Sequence, residues 1–212
     1  MRLFKKSFAL IFCIASIGLA SLSLNSCAKE EHVGDFYYKI KDDNTAAVYV
    51  ESYTMSELII PETINGLRVS TIMKPKKSSK LNTTLTNIVF PESLKIIDKK
   101  AFKGCIGIEE LNLPSGLLEI GENAFESCSS LTSVRLPYGI TTLGEEAFKN
   151  CSGLKEFYIP ATMETVGAFV FEGCFDLEVY AARESAPNFF SVWNYYWLGD
   201  AKVHWGYNDY EK

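Results

Sequence analysis

The sequence predicts an α/β solenoid of 23-residue coils, each with one short parallel strand and one short helical segment. Three observations lead there. First, six columns recur at a step of 23 residues. Pro91, Pro114, Pro137 and Pro160 form one, Phe102, Phe125, Phe148 and Phe171 a second, and Cys105, Cys128, Cys151 and Cys174 a third. Leu94, Leu117, Ile140 and Met163 keep the step, as do Ile97, Ile120, Leu143 and Val166, and Ile108, Leu131, Leu154 and Leu177. A fixed period of this length marks stacked units that bury a continuous core only against one another. Second, "ELNLP", "SVRLP" and "EFYIP" alternate polar and apolar residues, the period of a strand with one buried face. Proline ends each strand because it cannot donate to a continuing ladder. Third, Gly121, Gly144 and Gly167 open a turn before segments such as "ENAF" and "EEAF". There a short helical piece is expected, with Ala and Phe facing inward.

Taken in chain order, Arg2, Lys5 and Lys6 precede an apolar run from Phe8 to Ala20. That run has export-signal length and is too short to cross a bilayer core. Leu24-Asn25-Ser26-Cys27 resembles a bacterial lipobox. Residues 1–27 are therefore expected to be a lipoprotein signal peptide ending in lipidated Cys27; the alternative is a secreted chain cleaved nearby with Cys27 unmodified. Several acyl chains on one residue give stable membrane anchoring. The following "AKEE" is similar to the surface-export tag of Bacteroidetes lipoproteins. Loss of residues 1–27 removes three positive charges and no negative ones, taking the formal charge from −5 to −8. That acidity argues against nucleic acid or anionic lipid as the main partner.

Residues 28–34 read as a tether, 35–73 as a β-rich N-terminal cap, 74–87 as a polar insertion or degenerate repeat, 88–180 as the repeats, and 181–212 as a C-terminal cap. In the 23-residue frame Ser79 takes the Phe slot of the 74–87 stretch and Asn82 the Cys slot, so that unit lacks core anchors. Its "KPKKSSK" is the one basic cluster of an acidic chain, fit for a local acidic partner or for solvent. Register slips at "LEVYAA", where the strand-ending proline is missing.

The frame of "LTSVRLPYGITTLGEEAFKNC" resembles the BspA-like leucine-rich repeats over residues 88–180. "FYYKIKDDNTAAVYV" and "LIIPETINGLRVSTI" look like the N-terminal cap of that family, and the segment ending Val203 to Tyr207 like its closing segment. The resemblance implies a surface lipoprotein engaged in adhesion or contact with host or bacterial surface proteins. That implication is analogy at the level of the fold.

Even, regularly spaced cysteines in an exported chain suggest disulfides. Stacked coils argue otherwise, because equivalent residues sit about 4.8 Å apart with parallel Cβ vectors, whereas a disulfide turns its sulfurs together. Zinc requires tetrahedral convergence rather than a straight ladder. The four repeat cysteines are expected to be buried free thiols, the alternative being a disulfide between adjacent rungs. Histidines are two, His32 and His204, and no nucleophile–base set assembles around them. No enzyme activity, cofactor or metal is expected.

Two surfaces remain. On the open face of the strands, Val89, Asn112, Arg135 and Tyr158 form one column, and Asn87, Glu110, Ser133 and Glu156 its neighbour. Arg and Tyr are enriched in binding hot spots. The aromatic cluster that includes Phe189, Phe190, Trp193, Tyr195, Tyr196, Trp197, Trp205 and Tyr207 is either a plug for the last coil or a stacking platform for sugars or a partner. The leading expectation is a lipid-anchored outer-membrane protein, exposed on the cell surface, that binds protein through its strand face. A glycan-binding accessory lipoprotein of a polysaccharide-uptake system and a structural envelope lipoprotein are the alternatives.

Overall fold

A computed structural model describes residues 30–77, 82–185, 193–194 and 196–207. The signal and lipobox expectations, with Cys27, lie outside the described residues, as do Ser79, Phe189, Phe190 and Tyr195. The chain opens with β1 (Glu31–Val33), β2 (Phe36–Ile40) and β3 (Ala46–Val50), followed by β4 (Glu57–Ile59), β5 (Thr63–Ile64) and β6 (Leu67–Ile72). The coils then give β7 (Asn87–Val89), β8 (Ile96–Ile97), β9 (Glu119–Ile120), β10 (Ser133–Arg135) and β11 (Thr142–Leu143). Next come β12 (Glu156–Ile159), β13 (Thr165–Val166), β14 (Glu178–Ala181) and β15 (Lys202–Trp205).

Each full coil has three sides. One carries the proline-ended strands in two sheets, β4-β7 and β10-β12-β14-β15. The second carries two-residue strands in a nine-stranded sheet that runs β1-β2-β3-β6-β8-β9-β11-β13, with β5 paired to β6. Ser133 opposite Glu156, and Thr142 opposite both Glu119 and Thr165, reproduce the 23-residue step. The third side is the Ala-Phe turn.

The expected helical segment is corrected: no helix occurs among the described residues. Lys100, Asn123, Glu146 and Phe169 have φ near +55 to +59°, and Gly104, Ser127, Asn150 and Gly173 are again left-handed. A right-handed helix cannot pass through either column, so only three residues lie between them. The amides of that turn bond to the next coil instead. Phe102 N–H donates to Ala124 O at 2.8 Å, Phe125 to Ala147 at 2.9 Å, and Phe148 to Val170 at 3.1 Å. Backbone groups that a helix would pair internally are satisfied between coils.

The caps also differ from the sequence reading. Within the stretch read as a tether, Glu31–Val33 is already a strand, paired antiparallel with Val33 opposite Phe36. Glu57 opposes Asn87, a step of 30 residues, so the coil between them carries seven extra. The ring stacked on Phe102 comes from upstream of that coil. Tyr53 is buried, stacks on Phe102 at 5.6 Å, and donates its hydroxyl to Ala101 O at 2.6 Å. Asn82 bridges to Cys105 as the frame implies, donates to Tyr53 O, and accepts from the Thr84 and Leu85 amides.

The core is a column of rings. Phe102 and Phe125 stack at 5.4 Å and Phe125 and Phe148 at 5.3 Å, with Phe171 next at 6.3 Å and Trp197 edge-on beyond it. The Leu94, Ile97 and Ile108 columns are buried throughout. Because Phe125 has a ring on both faces, Phe125→Ala is expected to lower the unfolding free energy by about 3–5 kcal/mol, measured by urea denaturation. A loss under about 1 kcal/mol would show that the ring column is not what holds the coils together.

Candidate functional site

The repeat cysteines form one buried column of free thiols. Cys128 donates its S–H to Phe102 O, Cys151 to Phe125 O, and Cys174 to Phe148 O, each reaching back one coil at 3.2–3.4 Å. Cysteine fits this slot because it is small, apolar enough for the core, and still a weak donor to a carbonyl. Burial pushes the Cys105 thiol up to about 12 and Cys174 to about 11, with Cys128 and Cys151 also well above the ordinary value. A thiolate is the reactive form, so burial and the raised values both disfavour reaction in the folded chain. No group of three His, Cys, Asp or Glu able to hold a metal occurs among the described residues.

The strand face is where polar and aromatic groups converge. Strand alternation turns Val134, Leu136, Phe157 and Ile159 inward and leaves Ser133, Arg135, Glu156 and Tyr158 on the open side. Glu110 joins them through a bridge to Ser133. Asn112 is exposed but lies outside the strands, and exposed Val89 sits beside Ile59 on the separate β4-β7 sheet. Arg135, Tyr158 and Glu156 are thus brought together, with Ser133 and Glu110 adjoining, while Val89 belongs to the other end.

Four residues of the same face escape the sequence frame: Glu178, Tyr180, Lys202 and His204. β12 pairs with β14 at a step of 22 residues, Glu156 opposite Glu178, and β14 with β15 at a step of 24, Glu178 opposite Lys202. A strict 23-residue count misses both. The alternation of "EVYA" and "KVHW" is the signal that finds them. Their side chains extend one ladder. Arg135 lies over the Tyr158 ring at 4.0 Å, Tyr158 stacks on Tyr180 at 5.0 Å, and Tyr180 on His204 at 5.0 Å. Tyr207 leans across the Tyr158–Tyr180 seam at 5.4 and 5.2 Å.

Carboxylates border the rings. Tyr158 donates its hydroxyl to Glu156 at 3.0 Å, and burial together with that carboxylate pushes the phenol up to about 12. His204 Nε2 lies 2.5 Å from Glu178, and Lys202 Nζ 3.3 Å from the same carboxyl. These two partners, His204 first, hold the Glu178 carboxyl below its ordinary range.

The aromatic cluster divides. Trp193 and Trp197 are only 6% and 7% exposed and pack edge to face at 5.1 Å, closing the core. Neither presents a face to a sugar ring. Trp205 is half-buried against both, whereas Tyr196 is exposed and stacked on Phe169.

The family model of the BspA type leucine rich repeat region matches residues 76–190, more than half of the chain, in six copies. The chain belongs to the BspA type leucine-rich repeat family. Among solved structures, the leucine rich repeat protein of T. pallidum is similar, with a TM-score of 0.53 at 25% identity over 71% of this chain and 81% of that one. A leucine-rich repeat protein from Bacteroides ovatus gives 0.53 at 24% identity over 74% of this chain. The match spans about half of that protein, 48% of its length. No curated protein matches the chain. As a BspA type solenoid, it carries its outward ladder on the sheet of proline-ended strands. No helix among the described residues is long and apolar enough to cross a membrane.

Native thiol labelling with an aromatic disulfide reagent should leave the four repeat cysteines unmodified until denaturant is added; rapid labelling of the folded chain would refute their burial. A second outcome concerns Glu178. Its folded value is depressed, so the stabilisation from its partners is present above the ordinary carboxylate range and fades as pH falls through the lowered value. His204→Ala should move the Glu178 midpoint up toward the ordinary carboxylate range, read by carbon-13 NMR, and an unmoved midpoint would break the pairing.

Proposed function

We propose that this chain is a lipid-anchored, cell-surface binding protein that acts through its strand face and not by catalysis. The observation that carries the reading is the continuous outward ladder of Arg135, Tyr158, Tyr180 and His204, bordered by Glu156 and Glu178. Tyr and Arg supply large contact area, and side chains already stacked on one another lose little freedom when a partner docks. The stacking also fixes their geometry before the partner arrives. Membership of a leucine-rich repeat family supports an interaction scaffold, and the "LNSC" stretch supports the anchor at Cys27. Glu30 and β1 follow that cysteine within a few residues. An anchor there holds the N-terminal cap near the membrane and leaves the ladder, on the last coils, at the far end.

The partner is a protein of the host or of a neighbouring bacterial surface. The mature chain in non-ionic detergent, passed over immobilised matrix and epithelial surface proteins, is expected to bind at least one of them. Tyr158→Ala with Tyr180→Ala should weaken that binding at least about tenfold, while thermal stability changes little. Unchanged binding by this double variant rules out the ladder as the contact face. Protease shaving of intact cells tests the location: digestion of the chain supports surface display, and protection of the chain while a known surface protein is cut refutes it.

A further inference from the structure

We infer that the strand face takes an extended basic segment of a partner protein, with cationic side chains three residues apart. The inference rests on the interaction role proposed above and names the chemistry of its partner.

The acidic groups of this face are not equivalent. Glu178 already has Lys202 and His204 against it. Glu110 and Glu156 are exposed, and among the described residues neither has a cationic partner. Tyr158 donates to Glu156 and so fixes that carboxylate in place without neutralising it. Ser133, small and exposed, lies between the two, paired with Glu110 on one side and with Glu156 on the other. Glu110 and Glu156 are therefore two strand spacings apart, about 9.6 Å.

That distance selects a backbone. A polyproline II segment rises about 3.1 Å per residue with three residues per turn, so positions i and i+3 face the same way about 9.3 Å apart. In a β-strand, positions i and i+3 point to opposite sides. A polyproline II segment running along the solenoid axis can thus place one cation on Glu110 and the next on Glu156. The ladder supplies the wall beside it. Arg135 over the Tyr158 ring shows that a guanidinium at one strand spacing seats on these aromatics. Tyrosine edges suit proline rings and the aliphatic stems of Arg and Lys, the usual contacts of a polyproline segment on an aromatic surface. The charge complementarity extends to the whole mature chain, which is acidic.

The test uses the mature chain in non-ionic detergent and two fluorescein-labelled peptides of one composition, PPRPPRPPRPP and PPPPRRRPPPP. Fluorescence anisotropy is measured at low and at physiological salt, since general attraction to an acidic protein is screened away. The spaced peptide is expected to bind at least about fivefold tighter than the clustered one at physiological salt. Glu110→Gln with Glu156→Gln should weaken it about tenfold, and the charge-matched control Glu145→Gln with Glu164→Gln less than about twofold. Equal affinity for the two peptides, or equal losses in the two variants, overturns the inference. If surface proteins still bind through Tyr158 and Tyr180 while the peptides are not discriminated, the interaction role stands and the basic-segment partner falls. Loss of the tyrosine dependence itself removes the role.

Discussion

Hydrogen bonding from each coil to the next is the constraint on which the other features depend. On two sides of the coil the amides join parallel strands, as at Ser133–Glu156 and Thr142–Thr165, and on the third they leave the Ala-Phe turn for the next coil's carbonyls. In the regular coils, from β8 to β13, donor and acceptor recur at every rung because those coils have the same length. The 23-residue step is thus a backbone requirement first and a side-chain pattern second. The closeness it enforces explains the glycines at the corner. A Cβ on Gly144 would lie 2.5 Å from Gly121 C, and on Gly167 2.4 Å from the Glu145 amide. Only glycine allows the coils to come that near.

Once the backbone is so fixed, the interior must repeat as well, and each slot selects a residue by what lies one coil away. A planar ring fits the Phe slot because its neighbours above and below are rings. Cysteine fits its own slot because the carbonyl of the preceding coil's Phe is within reach of the thiol. The column must still end. Tyr53 closes it at one end, its hydroxyl satisfied by Ala101 O, and Trp197 meets the last Phe edge-on at the other. Both caps are aromatic residues from outside the repeat frame, so a unit without its own Phe is not a unit without a core.

This division sets what the sequence makes legible. Residues whose environment is another copy of themselves announce their positions by period, and all six columns read that way are buried where predicted or sit at the strand ends. The Ala-Phe segment misleads because its composition suits a helix, while the deciding feature is a positive φ at Lys100, Asn123, Glu146 and Phe169. Four different residue types share that conformation, so no single letter signals it. Tyr53 was hidden for a related reason: its partner Phe102 is a long way along the chain, and nothing local marks an upstream tyrosine as the occupant of a downstream slot. On the candidate face, Arg135, Tyr158 and Glu156 follow from alternation and period together, whereas Tyr180 and His204 share the alternation but fall outside a strict 23-residue count.

The break in period is also what creates the ladder. In the regular coils two residues separate the buried leucine from the next inward one, as in Leu154-Lys155-Glu156-Phe157; in the last repeat only Glu178 stands between Leu177 and Val179. A strand alternates with a period of two, so one missing residue reverses which side chains face out. With the full 23 residues, Val179 and Ala181 would occupy the open face beside Glu156 and Tyr158, and Tyr180 would point into the core. The deletion instead buries Val179 and Ala181 and sets Glu178 and Tyr180 in the outward columns. β15 then restores the count with one extra residue and brings Lys202 against Glu178 and His204 against Tyr180. A slip that looks like decay of the repeat places an aromatic on an aromatic and a charge beside a charge, on the side of the solenoid that the core does not need.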